Sequence, residues 1–469
     1  MQWLLLVVTL VVLALLQKIA RAAGGGGGGP LEAQAALALG SLTLVAYIAG
    51  AIVQRFRLPR IIGYLVAGFI AGPAWLKLAR GPELQALDVI SSGALTLIAF
   101  AVGNELTLDP LRGERRIALL RIVAGAMAGP FVSVALVVLT ISPWFPLTAH
   151  QPFRDALVVA LALGTMAAVS SPTLTWAVIS DVGAEGQGRG EGGPLSRAML
   201  DVSVLQDLAA VMLFVGVLAL ALPLGSGGAV RPGVAVQALL ILGGSIVAGI
   251  GLGVATTQYL RVIQQHLVWL LVVFAIVVAQ LVRLTGMDAA LLGLAAGCAL
   301  RNVAPEHSER VRAELKRCAI PLYVVFFALT GSNLRFDALA DMWPWALLLV
   351  ALRVTGLWGG LRWAGTGGRG AVSADWINYG WLGLVSQGGL AVTLAAVLRR
   401  AFPEWNVTLE ALLVAMIGVH QLAGPICFNW VLRRAGEVTQ SAGMGEANAQ
   451  DGATVAGGDS VVADGGSLV

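Results

Sequence analysis

Two ionisable residues lie deep inside long apolar runs: Asp207 in LDVSVLQDLAAVMLF and Arg353 in LLLVALRVTGLWGG. An ionisable group at bilayer depth costs at least about 2.5–3.5 kcal/mol on insertion scales, so its default reading is functional. A lone carboxylate there can bind a proton or a dehydrated monovalent cation, but not both. Competition for one such site is sufficient chemistry for exchange. Gln206 immediately precedes Asp207, and Ser203 lies four residues earlier on the same helical face, where its hydroxyl could add an oxygen or simply pack. Asp201, six residues before Asp207, reads as an access or gating charge, or equally as a solvated helix-end carboxylate. Arg353 is the natural partner of a buried carboxylate, either in an ion pair or as compensation for helix dipoles. A purely structural ion pair between helices is the competing reading.

Groups of this kind need helices to hold them and irregular backbone to approach them. Two runs carry breaks. One contains Val169-Ser170-Ser171-Pro172, where proline removes a backbone donor and disfavours helical geometry at Ser171. The other contains Val385-Ser386-Gln387-Gly388-Gly389, where a glycine pair tolerates unwound backbone. Irregular backbone at membrane depth is tolerated only where it lines a cavity or is buried in protein. Oxygens around Val169, Ser170 and Ser171 could replace water around a cation at Asp207, and Gln387 could line the opposite break. A simple proline kink is the bland reading of Pro172 taken alone. Paired breaks in two halves of a chain point instead to a transporter site.

The composition agrees. The chain is 58% hydrophobic and 12% charged, about half the charge of an ordinary soluble domain. Thirteen runs are long enough to cross roughly 30 Å of hydrocarbon: 33–54, 60–79, 86–108, 116–141, 155–180, 198–223, 232–256, 267–284, 286–302, 313–335, 341–364, 374–400 and 407–433. Alternate loops hold eighteen and eight Lys and Arg residues, which puts the first set in the cytoplasm, the mature N-terminus outside and the C-terminus inside. The triplets 116–141, 155–180, 198–223 and 341–364, 374–400, 407–433 each have a broken second member. They start on opposite sides, so they are inverted repeats, with Asp207 and Arg353 beside the crossing of the breaks.

The ends differ in character. Residues 1–22 read as a signal peptide, with an uncleaved extra helix as the alternative. Residues 23–32 are a glycine-rich linker, 33–433 the transmembrane domain, and 434–469 a disordered cytoplasmic tail. Cys298, Cys318 and Cys427 have neither disulfide nor metal spacing, and His150, His266, His307 and His420 are dispersed. Membrane-enzyme chemistry therefore has no constellation to rest on, no cofactor is expected, and the positive charges are topology signals rather than a nucleic-acid surface.

Arg57-Leu58-Pro59-Arg60-Ile61-Ile62-Gly63-Tyr64-Leu65-Val66-Ala67-Gly68-Phe69-Ile70-Ala71-Gly72-Pro73 resembles the opening motif of the monovalent cation:proton antiporter-2 family. Leu97–Leu111 resembles that family's next signature, with Asn104 where leucine is usual. Gln206-Asp207 resembles its paired site, and Arg353 falls where it carries a Lys or Arg. The resemblance runs from about residue 33 to 433. It implies an all-α polytopic membrane protein: a thirteen-helix antiporter fold with inverted repeats, two crossed broken helices, and core and dimerisation parts moving as an elevator. It implies a homodimer in the bacterial inner membrane that exchanges Na⁺ or K⁺ for H⁺. Gln206 in place of a second carboxylate, and an arginine that cannot readily lose its proton, point to electroneutral exchange through Asp207 alone. A nucleotide-binding regulatory domain is not expected after residue 433. A sodium-coupled organic-anion symporter of the same architecture is the alternative.

Overall fold

The computed structural model describes residues 31–438 except 74, 108–114, 150, 183–192, 225–231, 263–266, 335–341, 367–373 and 402–405. The expected signal peptide, most of the glycine-rich linker and the tail beyond 438 lie outside the described residues. Backbone polar groups in lipid must be satisfied internally, which for a single apolar segment means a helix. Among the described residues the regular structure is helical, in fifteen segments. They are α1 (Leu31–Gln54), α2 (Arg60–Ala71), α3 (Gly81–Glu105), α4 (Arg115–Thr140), α5 (Phe153–Ala168), α6 (Pro172–Asp181), α7 (Pro194–Leu224) and α8 (Pro232–Val262). The rest are α9 (Leu267–Thr285), α10 (Ala289–Val303), α11 (Pro305–Ser332), α12 (Trp343–Gly365), α13 (Ala374–Gly383), α14 (Gly389–Ala401) and α15 (Asn406–Arg434). Ten helical segments, counting α5 and α6 as one, are long and apolar enough to cross a membrane. The runs 60–79, 286–302 and 374–400 hold shorter apolar helices.

Several boundaries move for local reasons. The run 60–79 is helical only to Ala71, because Gly72 adopts extended backbone ahead of Pro73 and the chain folds back, with the Leu78 N–H donating to Ala71 O at 3.0 Å. The run 313–335 begins eight residues early, at Pro305, since proline suits the first helical position. The linker expected to reach residue 32 ends sooner, at the first residue of α1, Leu31. The tail expected from 434 is also shortened. Glu437 turns back and accepts from the Leu195 N–H at 2.7 Å and the Ser196 N–H at 2.9 Å. A carboxylate there satisfies orphan amides and faces the positive end of the helix dipole of α7.

The helices pack as two groups. α1, α2, α3, α8, α9, α10 and α11 associate chiefly with one another, as do α4, α5, α6, α7, α12, α13, α14 and α15, and fewer contacts cross the seam. In lipid, helices associate through close packing rather than hydrophobic transfer, so small residues mark the tight crossings. The crossing of α4 and α12 is the example that matters for the site. A Cβ on Gly129 would meet Gly356 O at 2.1 Å, and one on Gly360 would meet Gly125 O at 2.0 Å. Ser133 Oγ donates across the same crossing to Leu352 O at 2.8 Å, one residue before Arg353. Gly360→Ala is therefore expected to lower the melting temperature of detergent-solubilised protein, by the about 1–3 kcal/mol typical of overpacking. Gly359→Ala, whose Cβ would meet nothing within 4 Å, is the matched control. Equal melting temperatures for the two variants would refute this account of the crossing.

Candidate functional site

α5 ends at Ala168 and α6 starts at Pro172, leaving Val169, Ser170 and Ser171 outside regular structure. Pro172 does not kink a continuous helix; it opens a new one as its first residue, with Ser171 as the N-cap accepting from Leu174 N at 3.3 Å. In the second repeat α13 ends at Gly383 and α14 starts at Gly389, with Leu384–Gly388 between them. The two breaks touch. A Cβ on Gly388 would lie 2.2 Å from Ser171 Oγ, so this position needs glycine for close approach rather than for an unusual φ.

A broken helix exposes terminal carbonyls that need donors. For α5 the Val169 N–H reaches back to Met166 O at 3.4 Å, and the other donors come from distant side chains. Met166 O accepts from Gln387 Nε2 at 2.8 Å. Ala167 O accepts from Arg353 Nε at 2.9 Å, and Val169 O from Arg353 Nη2 at 2.8 Å. Ala168 O accepts from Gln206 Nε2 at 2.7 Å. The same guanidinium reaches the end of α13, donating through Nη1 to Val385 O at 2.6 Å and through Nη2 to Leu384 O at 3.1 Å. Arg353 is fully buried, and its positive charge sits where two helix C-termini present their negative ends. The planar fork of arginine matches this task; a lysine ammonium is a point charge with three donors.

Of the two readings of Arg353, an ion pair with Asp207 and compensation of helix dipoles, the ion pair is not made among the described residues. The Arg353 donors go to carbonyls instead, because the two helix ends present a ring of acceptors directly around the guanidinium. Asp207 lies on the other side of the crossing, in a cleft lined by Ser170, Ser171, Pro172, Thr173, Leu390 and, from α10, Leu291. The aspartate is 5% exposed, and its Oδ1 has no hydrogen-bond partner. The Ser170 backbone amide faces the same carboxylate. A buried acceptor without a donor, beside two serines and a threonine, suits a ligand that brings positive charge, whether a proton or a small cation.

The remaining sequence candidates divide between cleft and scaffold. Ser170 and Ser171 line the cleft with Asp207. Val169, expected to offer its carbonyl to an ion, gives it to Arg353. Ser203 donates within its own helix to Leu200 O at 3.0 Å, while its carbonyl accepts from Ser170 Oγ at 3.3 Å. Gln206 and Gln387 spend their amide nitrogens on α5, leaving Gln206 Oε1 and Gln387 Oε1 buried without donors. Asp201 stands partly buried at the far end of α7, where the nearby charge is Arg197, and does not line the cleft. His420 is buried, with Nδ1 2.8 Å from Met416 O. Glu105, a helix-end charge, pairs with Arg312 at 2.6 Å.

Sequence reasoning missed Asp288. It is 3% exposed, caps the N-terminus of α10 by accepting from Leu291 N at 2.7 Å, and accepts from Thr393 Oγ1 of α14. Two of the residues that follow it, Ala290 and Leu291, line the cleft that holds Asp207. The sequence signal of Asp288 is an Asp three residues ahead of Leu291 at the start of an apolar run, which marks an N-cap but not its depth.

Comparison with known proteins places these features in context. The profile of the family described as "Sodium/hydrogen exchanger, transmembrane" matches residues 39–433. A protein of Bacillus cereus named "Probable Na(+)/H(+) antiporter GerT" is 23% identical over 368 residues, covering 75% of this chain and 88% of that protein. An uncharacterised protein from the phaC 3' region of Methylorubrum extorquens is 36% identical over 83 residues, covering 18% of this chain and 29% of that protein. The solved structure of the sodium proton antiporter MjNhaP1 from Methanocaldococcus jannaschii at pH 8 superposes with a TM-score of 0.58 at 14% identity. It covers 86% of this chain and 99% of that one, a likeness of fold.

Proposed function

The chain belongs to the sodium/hydrogen exchanger family, and from that premise we propose that it exchanges a monovalent cation, Na⁺ or K⁺, for a proton, with Asp207 as the shared site. The observation that carries this reading is the buried Asp207 Oδ1 without a partner, in a cleft edged by Ser170, Ser171 and Thr173. The protein is a multi-pass membrane protein of transporters' architecture. The printed name of the Bacillus cereus relative makes sodium the first cation to test.

The position of the cleft supports alternating access. One wall belongs to α6, α7 and α14, the other to α3 and α10, so movement of one helix group past the other would carry Asp207 between the two faces. An elevator of this kind, in a homodimer of the bacterial inner membrane with the mature N-terminus outside, is the arrangement we favour. The loop asymmetry in Lys and Arg supports the orientation.

Arg353 spends its donors on helix ends, and Gln206 carries no proton, so Asp207 is the group that alternates between ligands. One proton then exchanges for one cation. In proteoliposomes, cation-induced dequenching of a preset pH gradient should occur and should be insensitive to an imposed membrane potential. Comparing Na⁺, K⁺ and Li⁺ at several pH values identifies the cation. Absence of proton movement with every cation overturns the exchange reading; a steep voltage dependence overturns electroneutrality.

A further inference from the structure

Asp288 is buried without a basic partner. As an N-cap it does what serine, threonine or asparagine does equally well without burying a charge. Capping alone therefore does not account for a carboxylate here, and a buried charge is costly enough to call for a functional reason. Its surroundings supply one. Asp288 belongs to the helix group opposite Asp207, and its Oδ2 accepts from Thr393 Oγ1, one turn past the second break. The backbone of Asp288 is anchored in turn, its N–H donating to Ser245 Oγ of α8 at 2.8 Å. Ala290 and Leu291, the next residues of α10, line the cleft beside Asp207.

We propose that Asp288 is a positioning residue whose fixed negative charge, held across the cleft from Asp207, sets how tightly Asp207 binds its cation. This rests on the reading of Asp207 as the exchange site. Asp288 does not itself carry an ion: both its oxygens are engaged, one by the Leu291 N–H and one by Thr393. It contributes the same charge to the proton-loaded and cation-loaded forms, so one-for-one exchange stays electroneutral.

Arg353, the buried positive charge at the crossing, spends its donors on helix-end carbonyls, and the other charges near the two aspartates among the described residues lie toward helix ends. The helices packed on α7 are α4, α5, α6, α8 and α13. Their charged residues, Arg115 and Arg116 on α4, Arg154 and Asp155 on α5, Asp181 on α6, Arg261 on α8 and Asp375 on α13, lie in the terminal turns, and Arg121 lies in the second turn of α4. On α7 itself Arg197 and Asp201 lie toward its start. Around Asp288, Asp88 of α3 and Arg283 of α9 are both exposed at the surface, and Arg399 and Arg400 close the far end of α14.

Asp288→Asn is the decisive variant. Asparagine caps a helix as well as aspartate and keeps the shape, so the melting temperature should hold while the charge is lost. Proton and cation carry the same charge, so both should bind more weakly. On the alkaline side of the profile, where protons no longer compete, half-maximal exchange should need about tenfold more cation, and the pH profile should move about one unit toward acid. A cap-only role predicts neither shift, so unchanged cation dependence and pH profile in the folded variant overturn the proposal. So does complete loss of exchange at every cation concentration, which would make Asp288 a carrier in its own right. Asp207→Asn measured in parallel keeps the two readings apart: retained exchange there defeats the exchange site itself, whatever Asp288→Asn does.

Discussion

Proteoliposomes containing Asp207→Asn should show cation-driven proton movement at background. The amide has the size of the carboxylate but neither releases a proton nor balances a cation. A dehydrated cation bound in the cleft would then lie in a low-dielectric site without its counter-charge, a penalty of several kcal/mol. Each 1.36 kcal/mol is tenfold in rate, so the loss exceeds about 100-fold. The fold should not suffer. Asp207 Oδ1 has no donor to lose, and removing an uncompensated buried charge relieves strain, so the melting temperature in detergent should stay the same or rise. A variant that loses activity and stability together would point to Asp207 as a structural residue. One that keeps wild-type exchange would remove it from the mechanism.

The largest structural effect is expected at Arg353. In Arg353→Ala, Ala167 O, Val169 O, Leu384 O and Val385 O all lose their side-chain donor. A buried polar group left unsatisfied costs about 1–3 kcal/mol. Four of them at one crossing should prevent recovery of monodisperse protein by size exclusion. Arg353→Lys separates charge from geometry. It keeps the positive charge at the two negative helix ends, but three donors on one atom cannot span both. That variant should fold with a lowered melting temperature and exchange more slowly. Wild-type stability in Arg353→Ala would mean the carbonyls find water or other donors, and the guanidinium would no longer be the pin of the crossing.

The interruptions themselves were legible, and their chemistry shows why. Pro172 cannot donate a backbone hydrogen bond, and Gly388-Gly389 disfavours helix because glycine has the most backbone freedom to lose. Both signals are local, and both helices end beside them. The partners were not legible. Arg353 suggested either an ion pair with Asp207 or compensation of helix dipoles, and which carbonyls take its donors, up to 186 residues away, was not readable from sequence. Gln206 looked like a ligand for an ion and Gln387 like a lining of the second break, and the amide nitrogens of both close the end of α5. Asp288 escaped notice because an aspartate near the start of an apolar run is indistinguishable from an ordinary helix cap.

Hydropathy and backbone chemistry act over one or two turns. From the sequence alone they therefore determined a polytopic helical membrane protein, the two breaks, and Asp207 and Arg353 as its costly buried charges. Which group meets which is a property of three-dimensional approach. The glycine crossing of α4 and α12 holds Arg353 at two helix ends, and the packing of α10 against α14 brings Asp288 to Thr393. Those contacts depend on helices far apart in the chain, so only the tertiary structure decided them.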